Sequence, residues 1–354
     1  MRYQWSVLDS NSIRGARVGN GPTINNTLIN PSAVRPDTVF YTVNITSDNC
    51  TITPIIVPVI VLPAPKVVAQ NQTICANQAT NIALSSLAGA GNFSWSVNSS
   101  SANISGATSG TGSTIIQQLF NSSSSISGTI VYAIRATVNG CIGPDTLITV
   151  TVNPLPVVIL NERNLEFCDT GLIAVNIQSS ISSSTLDWFT VSEGPIIGFS
   201  NGSGNNLFQT VRNTSRTQIG RLKYIFRALS NGCFGPNDTL SITINPKPNS
   251  DFEIALDSVY CVGSRAVFSN LTPPILETNT RFQWDFGNDS SSNSFNGSTI
   301  YRVPGRYNVK LKSISSSGCI DSIIKQIKVV SLPQASISAS TPANNCSPVI
   351  ISFT

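Results

Sequence analysis

The chain has 354 residues, a formal net charge of +4 and 11% charged side chains, well below the roughly 25% of ordinary soluble domains. It contains no histidine and a single methionine, so His-dependent acid–base catalysis, Ser-His-Asp triads and His-ligated zinc are excluded. No run of Lys or Arg offers a binding surface for nucleic acid or anionic lipid, and we expect neither as a partner.

The first residues resemble the middle of a domain. Met1 is followed directly by Arg2-Tyr3-Gln4-Trp5, a pattern that recurs in the middle of the later repeats, so we expect no signal peptide in this segment. At the other end, Cys346 lies where a new repeat would begin, eight residues before Thr354. We therefore expect the sequence to be a segment of a longer protein.

A tryptophan, a tyrosine and a cysteine recur in the same order four times. The tryptophans Trp5, Trp95, Trp188 and Trp284 lie 90, 93 and 96 residues apart, which is the length of one small β-sandwich domain. Behind each tryptophan follow a tyrosine and a cysteine: Tyr41 and Cys50, Tyr132 and Cys141, Tyr224 and Cys233, Tyr307 and Cys319. The spacing predicts a chain of similar domains.

Prolines mark the joints between these repeats. Proline cannot donate to a sheet ladder, so the motifs Pro63-Ala-Pro65, Pro154-Leu-Pro156 and Pro246-Lys-Pro248, with Pro333 at the last joint, each end one sandwich and stiffen the start of the next. The predicted segments are residues 1–62, 63–154, 155–246, 247–331 and 332–354, called modules 1 to 5 below. Modules 1 and 5 are partial.

Within each module the hydrophobic pattern has a period of two, as half-buried strands require. Tyr307, Val309 and Leu311 alternate with polar residues, and turn sequences precede the module cysteines at Asn139-Gly140, Asn231-Gly232 and Ser317-Gly318. The tryptophan segments resemble the third strand of an immunoglobulin-type sandwich, where a Trp fills the core and a Tyr braces a corner with its hydroxyl. We predict an all-β fold of tandem immunoglobulin-like sandwiches in an elongated array.

Module 4 resembles a polycystic-kidney-disease (PKD) domain, a β-sandwich common in large bacterial surface proteins. The motif runs from Trp284-Asp-Phe-Gly-Asn-Asp289 through Pro304-Gly-Arg-Tyr307 to Gly318-Cys-Ile-Asp321. It departs from the family's W-D-F-G-D-G at Asn288 and Asp289. Modules 2 and 3 resemble the PKD-like variety found in Bacteroidetes, through the motifs Asn139-Gly-Cys-Ile-Gly-Pro144 and Asn231-Gly-Cys-Phe-Gly-Pro236.

The resemblance implies a very large, repetitive protein of the cell surface, of the gliding-motility or adhesion kind, exported across the outer membrane by the type IX secretion system. Its implied partners are neighbouring modules of the same chain, the secretion and gliding machinery, and a substratum or polysaccharide bound by parts outside this segment. We expect a stalk or filament segment of an adhesin, without enzymatic activity or cofactor. The alternatives are carbohydrate-binding modules or accessory domains of a large secreted enzyme.

An even number of cysteines at regular positions suggests disulfides. The two cysteines of a module lie at opposite ends of an immunoglobulin-type sandwich, some 25 Å apart for strands of about 8 residues, whereas a disulfide needs Cα atoms within about 7 Å. We therefore favour staples across the joints, Cys75 with Cys233 and Cys168 with Cys319, over pairing within modules or free thiols. Cys50, Cys141, Cys261 and Cys346 would then have partners outside the segment.

Two weaker signals remain. Asp285, Asn288 and Asp289 carry oxygen ligands on one loop and could bind Ca²⁺, although we favour turn hydrogen bonds as their role. Five Asp-Ser/Thr-apolar tripeptides match the pattern to which Bacteroidetes attach O-glycans, with acceptors Thr38, Thr146, Thr239, Ser258 and Ser322. The alternative is that each Asp caps the start of a strand and that Thr has high β-propensity.

Overall fold

The computed structural model describes residues 1–48, 50–255, 259–275, 279–340 and 352–353, and all regular secondary structure in this part of the chain is β. The chain divides into two compact units. One comprises Met1–Ile159, Gln178–Leu186 and Arg227–Asn237, and the other Leu160–Ile177, Asp187–Phe226 and Asp238–Thr354. In the described residues no helix is long and apolar enough to cross a membrane.

Module 1 forms one antiparallel sheet around its tyrosine strand, β3. The sheet has the order β2-β1-β3-β4, with β5 also paired to β3. Val39 and Tyr41 of β3 are buried with Ile13, and Trp5 packs against them. The strands are β1 (Arg2–Asp9), β2 (Gly19–Asn20), β3 (Asp37–Ser47), β4 (Cys50–Thr51) and β5 (Ile55–Val61).

Module 2 is built around a sheet of order β12-β10-β15-β17-β7, in which β7 runs parallel to β17. Its core holds Trp95 of β10 and Tyr132 of β15. The strands are β6 (Val67–Val68), β7 (Gln72–Cys75), β8 (Ile82–Ala83), β9 (Ser85–Ser86), β10 (Asn92–Ser100), β11 (Ile104–Ser105), β12 (Gly110–Thr111), β13 (Thr114–Ile115), β14 (Phe120–Asn121), β15 (Gly128–Val138), β16 (Cys141–Ile142) and β17 (Thr146–Asn153).

Module 3 repeats this plan with a sheet of order β19-β27-β25-β21-β23 and a second sheet of order β18-β20-β24-β22. Here β19 runs parallel to β27. The strands are β18 (Val158–Leu160), β19 (Asn164–Cys168), β20 (Thr170–Ser179), β21 (Thr185–Glu193), β22 (Ile196–Ile197), β23 (Gly202–Ser203), β24 (Asn206–Asn213), β25 (Gly220–Ser230), β26 (Cys233–Phe234) and β27 (Asp238–Asn245).

Module 4 has a three-stranded sheet of order β28-β30-β33 and a five-stranded sheet of order β29-β35-β34-β31-β32, with β29 parallel to β35. Its core is aromatic, with Trp284 next to Phe252, Phe268 and Phe286. The strands are β28 (Phe252–Ile254), β29 (Val259–Cys261), β30 (Arg265–Asn270), β31 (Thr280–Asp285), β32 (Ser291–Ser292), β33 (Gly297–Ile300), β34 (Gly305–Ser315) and β35 (Ile320–Val330); β36 (Ala339–Ser340) pairs with β37 (Ser352–Phe353).

In modules 2, 3 and 4 the last long strand is therefore enclosed in the same way. On one side it pairs antiparallel with the strand before it, and on the other it pairs with a short parallel strand. Each short strand ends at a cysteine: Cys75, Cys168 or Cys261. The expectation of an all-β fold is confirmed, and the parallel strand fixes one cysteine at one end of each sheet.

Candidate functional site

The second cysteine of each module lies in a hairpin at the other end of the sheet. Asn139-Gly140 and Asn231-Gly232 adopt positive φ angles of 49° and 78°, and of 49° and 76°. These are the turn conformations that Asn-Gly favours. Cys141 and Cys233 each follow one turn, opposite Val138 and Ser230. Two successive modules thus present a cysteine in the same backbone setting.

Among the described residues there are two disulfides, and both connect successive modules. Cys75 at the end of β7 is joined to Cys233, and Cys168 at the end of β19 is joined to Cys319, each with a Cα–Cα distance of 5.6 Å. These are the two pairs that the cross-joint hypothesis names. Cys141 carries a thiol, so the two cysteines of module 2 are not joined to each other.

The two cysteines of each disulfide are buried to different extents. Cys233 and Cys319 are only 1% exposed, whereas Cys75 is partly exposed and Cys168 is exposed. The hairpin cysteine of one module is therefore the enclosed partner, and the strand-end cysteine of the preceding module is the accessible one. Among the described residues Cys50, Cys141 and Cys261 have no disulfide partner, and Cys346 lies outside them.

A glycine two residues after the hairpin cysteine brings the hairpin against the proline at the start of its own module. A Cβ atom on Gly235 would lie 1.6 Å from the Pro156 carbonyl oxygen, and one on Gly143 would lie 1.7 Å from that of Pro65. Only glycine permits this approach. The repeated Cys-x-Gly-Pro motif thus has a packing cause that the sequence analysis did not identify, although its repetition was visible.

An ion pair connects the joint before module 4 to the strand that follows Cys319. Lys247 Nζ lies 3.0 Å from Asp321 Oδ1, and the Ser250 amide donates to Asp321 Oδ2 at 2.8 Å. Burial opposes ionisation of Asp321, but the hydrogen bonds from Lys247 and from the Ser250 amide outweigh it, so the pKa of this carboxyl is below its usual value. The Pro246-Lys247-Pro248 joint is thereby tied to the strand that follows Cys319.

The repeated Trp and Tyr are linked by an amide side chain. Tyr224 Oη donates to Gln209 Oε1 at 2.5 Å, Gln209 Nε2 donates to the Ser200 carbonyl, and Trp188 Nε1 donates to that same carbonyl. Module 2 repeats the network with Tyr132, Gln117, Thr108 and Trp95. Burial raises the pKa of Tyr132 and of Tyr224 to about 12.

The predicted role of these tyrosines needs correction in modules 2 and 3. Their hydroxyls do not brace a corner through the backbone, because a glutamine 15 residues earlier in the chain accepts the hydrogen bond. In module 4, by contrast, Tyr307 Oη donates to the Val303 carbonyl at 2.8 Å. No observation points to a ligand at these aromatic residues, since Tyr132, Tyr224 and Trp284 are at most 2% exposed.

A repeated asparagine that was not identified from the sequence ties a loop to the last strand of the sheet in modules 1 to 3. Asn213 Nδ2 donates to the carbonyls of Gln218 and Ile244 at 2.7 and 2.8 Å, and so ties a loop to the last strand of its sheet. Asn121 makes the same bonds in module 2 and Asn30 in module 1. The signal was present, because each Asn precedes the module tyrosine by 11 residues and is followed by x-Ser.

Two of the three candidate calcium ligands accept hydrogen bonds from neighbours in their turn. Asp285 Oδ1 accepts from the Gly287 amide at 3.0 Å, and Asn288 Oδ1 accepts from Ser290 Oγ at 2.5 Å. Asp289 has a positive φ of 61°. Across the described residues no group of three or more Asp, Glu, Cys or His side chains is arranged to hold a metal ion. The Ca²⁺ site stays a prediction.

Four of the five candidate glycosylation motifs can be located. Thr38, Thr146 and Thr239 are partly buried near strand starts, Ser322 is exposed, and Ser258 lies outside the described residues. Besides Asp321, which pairs with Lys247, the aspartates of two other motifs form ion pairs: Asp145 with Arg135 and Asp238 with Arg163, each at 2.5 Å. A hydrogen bond from the guanidinium lowers the pKa of each carboxyl. These aspartates have a structural role, and use of the motifs stays a prediction.

Comparison with protein families identifies two kinds of domain. Residues 1–65 and 72–156 match the family described as PKD-like domain, and residues 245–330 match the PKD domain. The comparison with curated proteins found no match. The matched segments contain Cys75 at the end of β7 and Cys319, whereas their disulfide partners Cys233 and Cys168 lie between the two matches.

Several solved structures are similar over part or most of the chain. The PKD1 domain of Vibrio anguillarum Epp is 24% identical, covering 25% of this chain and 99% of its own, with a TM-score of 0.22. Mouse cadherin-23 EC22–24 is 10% identical over 76% of this chain and 99% of its own, with a TM-score of 0.33. Sidekick-1 immunoglobulin domains 1–4 are 11% identical over 94% and 90%, with a TM-score of 0.29.

The family matches and the sheet topology indicate the same class of domain. Domains of this kind are structural or adhesion-type modules of extracellular proteins, and the two disulfides agree with an oxidising compartment. The predicted tandem immunoglobulin-like fold is confirmed. The chain contains PKD-like domains and a PKD domain in the matched residues, arranged in tandem within an all-β chain of immunoglobulin-like modules.

Proposed function

We propose that this chain is a force-bearing stalk segment of a secreted cell-surface adhesin. The observation that carries the proposal is the order of the disulfide-bonded cysteines along the chain. Cys75 pairs with Cys233 and Cys168 with Cys319, so the second disulfide loop begins inside the first and ends beyond it. Interlaced loops of this kind restrict how far the chain extends when it is pulled from its ends.

The restriction follows from the shortest covalent path between Cys75 and Cys319. Without disulfides this path contains the 244 residues of the intervening chain. With both disulfides it crosses from Cys75 to Cys233, returns along the 65 residues to Cys168, and crosses to Cys319. At about 3.5 Å per extended residue, the greatest separation falls from roughly 850 Å to roughly 230 Å.

Single-molecule force spectroscopy tests this role. When the oxidised chain is pulled from its two ends, the extended length between Cys75 and Cys319 is expected to reach at most about 230 Å. In the reduced chain it should reach about 850 Å. The double variant Cys168→Ala/Cys319→Ala retains one staple, and its shortest path is the 86 residues from Cys233 to Cys319, about 300 Å. Cys141→Ala is the matched control and should behave as the native chain. Equal release from oxidised and reduced chains would refute the stalk role.

The finer assignment to an exported adhesion or gliding filament is part of the same proposal. It is supported by the PKD-like motifs of modules 2 and 3 and the PKD motif of module 4, which resemble those of type IX-secreted surface proteins. The test is surface display in a Bacteroidetes host with and without a working type IX system: the assignment requires that protease-accessible protein be lost in the deficient strain. Binding of the oxidised chain to a glycan array would instead favour the carbohydrate-binding alternative.

A further inference from the structure

One face of the five-stranded sheet of module 4 carries a cluster of cations. Alternate residues of a strand lie on opposite faces of a sheet, so cations two positions apart are neighbours on one face without forming a run in the sequence. On the face opposite the Trp284 core, β31, β34 and β35 hold five cations, and Asp285 is the only carboxylate that these described strands place there. The five, called the basic face below, are Arg281, Arg306, Lys310, Lys312 and Lys328.

The register brings four of these cations into one strip. Lys310 and Lys312 are neighbours along β34, about 7 Å apart, and Arg306 lies about 14 Å beyond Lys310 on the same strand. Arg306 is directly opposite Lys328 of β35. Like charges directly opposite each other are destabilising, so this pair does not serve the stability of the sheet.

None of the five cations forms an ion pair with another described residue. The other lysines of module 4 are paired, Lys247 with Asp321 at 3.0 Å and Lys325 with Asp251 at 2.8 Å. The described residues of module 4 therefore leave the positive charge of the basic face without a partner.

Module 2 provides an internal comparison. Residues 63–154 contain only two cations, Lys66 and Arg135. Arg135 lies on the corresponding sheet face, opposite Ser94, and forms an ion pair with Asp145. A face without net charge is thus compatible with this fold, and the fold does not account for the charge of the basic face.

Uncharged polar side chains separate the cations. Each offers a hydrogen-bond donor and acceptor, which suit the hydroxyl groups of sugars, whereas lysine and arginine suit carboxylate or sulfate groups. These side chains are Gln283, Asn308, Ser322 and Gln326. Among the described residues of β31, β34 and β35, no aromatic side chain lies on this face, so it lacks the stacking surfaces that bind single-stranded nucleic acids. A sugar polymer with recurring anionic groups matches the face best.

We propose that the basic face binds an acidic polysaccharide. A single exposed ion pair contributes little, but a polymer lying along β34 meets Lys312, Lys310 and Arg306 together, over about 20 Å. The proposal goes beyond the stalk role and does not depend on it. Because recognition is through charge, binding should be lost in about 0.5 M NaCl, whereas sugar-specific recognition by a carbohydrate-binding module would persist.

The probes are dextran sulfate and alginate, which carry sulfate and carboxylate groups, with uncharged dextran as the matched control. Each polymer is immobilised, and binding of the oxidised full chain is measured by biolayer interferometry. The chain is expected to bind one or both acidic polymers, at least about tenfold more weakly at about 200 mM NaCl than at about 20 mM, and not to bind dextran. The polymer that binds identifies the anion. Failure to bind either acidic polymer, or equal binding to dextran, would overturn the proposal.

Two double variants locate the binding. Lys310→Gln/Lys312→Gln removes two cations of the strip and should weaken binding about five- to tenfold. Arg14→Gln/Arg17→Gln removes the same charge from exposed positions of module 1 and should change the affinity less than about twofold. Unchanged hydrogen exchange in β34 verifies that the first variant is folded. Equal loss in both variants, or tighter binding to single-stranded DNA or to anionic phospholipid vesicles than to either polymer, would refute the assignment.

Discussion

Removal of the Cys75–Cys233 disulfide should selectively destabilise module 3. The change is the double variant Cys75→Ala/Cys233→Ala, which avoids leaving a buried unpaired thiol at Cys233, a residue only 1% exposed. When module 3 unfolds next to a folded module 2, the native disulfide pins the unfolded chain at Cys233, and this pinning lowers the entropy of the unfolded state. The variant releases that constraint.

The magnitude follows from the lengths of chain that the disulfide closes. The unfolded segment from Asn153 to Cys233 contains 80 residues, for which loop closure contributes about 4.5 kcal/mol. If module 4 also remains folded, it anchors the unfolded chain at Lys247, only 14 residues from Cys233. The contribution of the disulfide to the free energy of unfolding then falls to about 3 kcal/mol. The free energy of unfolding of module 3 should therefore fall by about 3 to 5 kcal/mol.

Native-state hydrogen exchange measured by mass spectrometry separates the modules, because peptides from β21 and β25 report on module 3 and those from β31 and β34 on module 4. The matched control is Cys141→Ala, which alters a cysteine in the same type of turn but with no disulfide partner among the described residues. If the double variant changes exchange in β21 and β25 no more than the control does, the tethering argument is wrong.

Three further outcomes are expected. Gly235→Ala should cost about 2 to 4 kcal/mol of unfolding free energy in chemical denaturation, because its Cβ meets the Pro156 carbonyl, and Gly232→Ala, with open space around it, about 1 kcal/mol; equal costs would contradict the packing argument. The raised pKa of Tyr224, about 12, favours the neutral phenol in the folded state, so stability should hold below pH 10 and fall as pH rises from 10 to 12, in step with tyrosinate absorbance; Tyr224→Phe should weaken that pH dependence. The melting temperature should be the same with excess Ca²⁺ or chelator, and a rise with Ca²⁺ would restore a site in the loop 285–289.

The all-β fold could be predicted from the sequence because period-two strands, turn residues and recurring aromatics all indicate the same structure. The cysteine pairing could be argued from topology, since Cys75 lies opposite Asn153 at the end of β17 and Cys141 precedes the start of that strand. Eight residues of strand then separate the two cysteines of module 2. A disulfide across the joint therefore spans a shorter distance than one between the two cysteines of a module.

The hydrogen-bonded amides could not be predicted in the same way. Gln209 reads as an ordinary polar position of β24, and Gln117 lies two residues after β13. The function of both depends on a carbonyl in a loop whose path no local pattern specifies. Asn121 and Asn213 are followed in the sequence by Ser and Thr residues, as in any polar loop, yet Asn213 is 1% exposed and its amide is bonded inside the sandwich. A fixed offset from the tyrosine was the available signal, and it needs several repeats to be recognised.

The disulfide between successive modules also has a consequence for the order of events during biogenesis. As the chain emerges from its N-terminus, Cys75 is followed by Cys141 and Cys168 before its native partner Cys233 is available. Oxidation that ran ahead of folding would join the nearest thiols in sequence. Correct pairing therefore requires that module 2 fold while Cys75 is still reduced, so that β17 holds Cys141 out of reach until the next hairpin arrives.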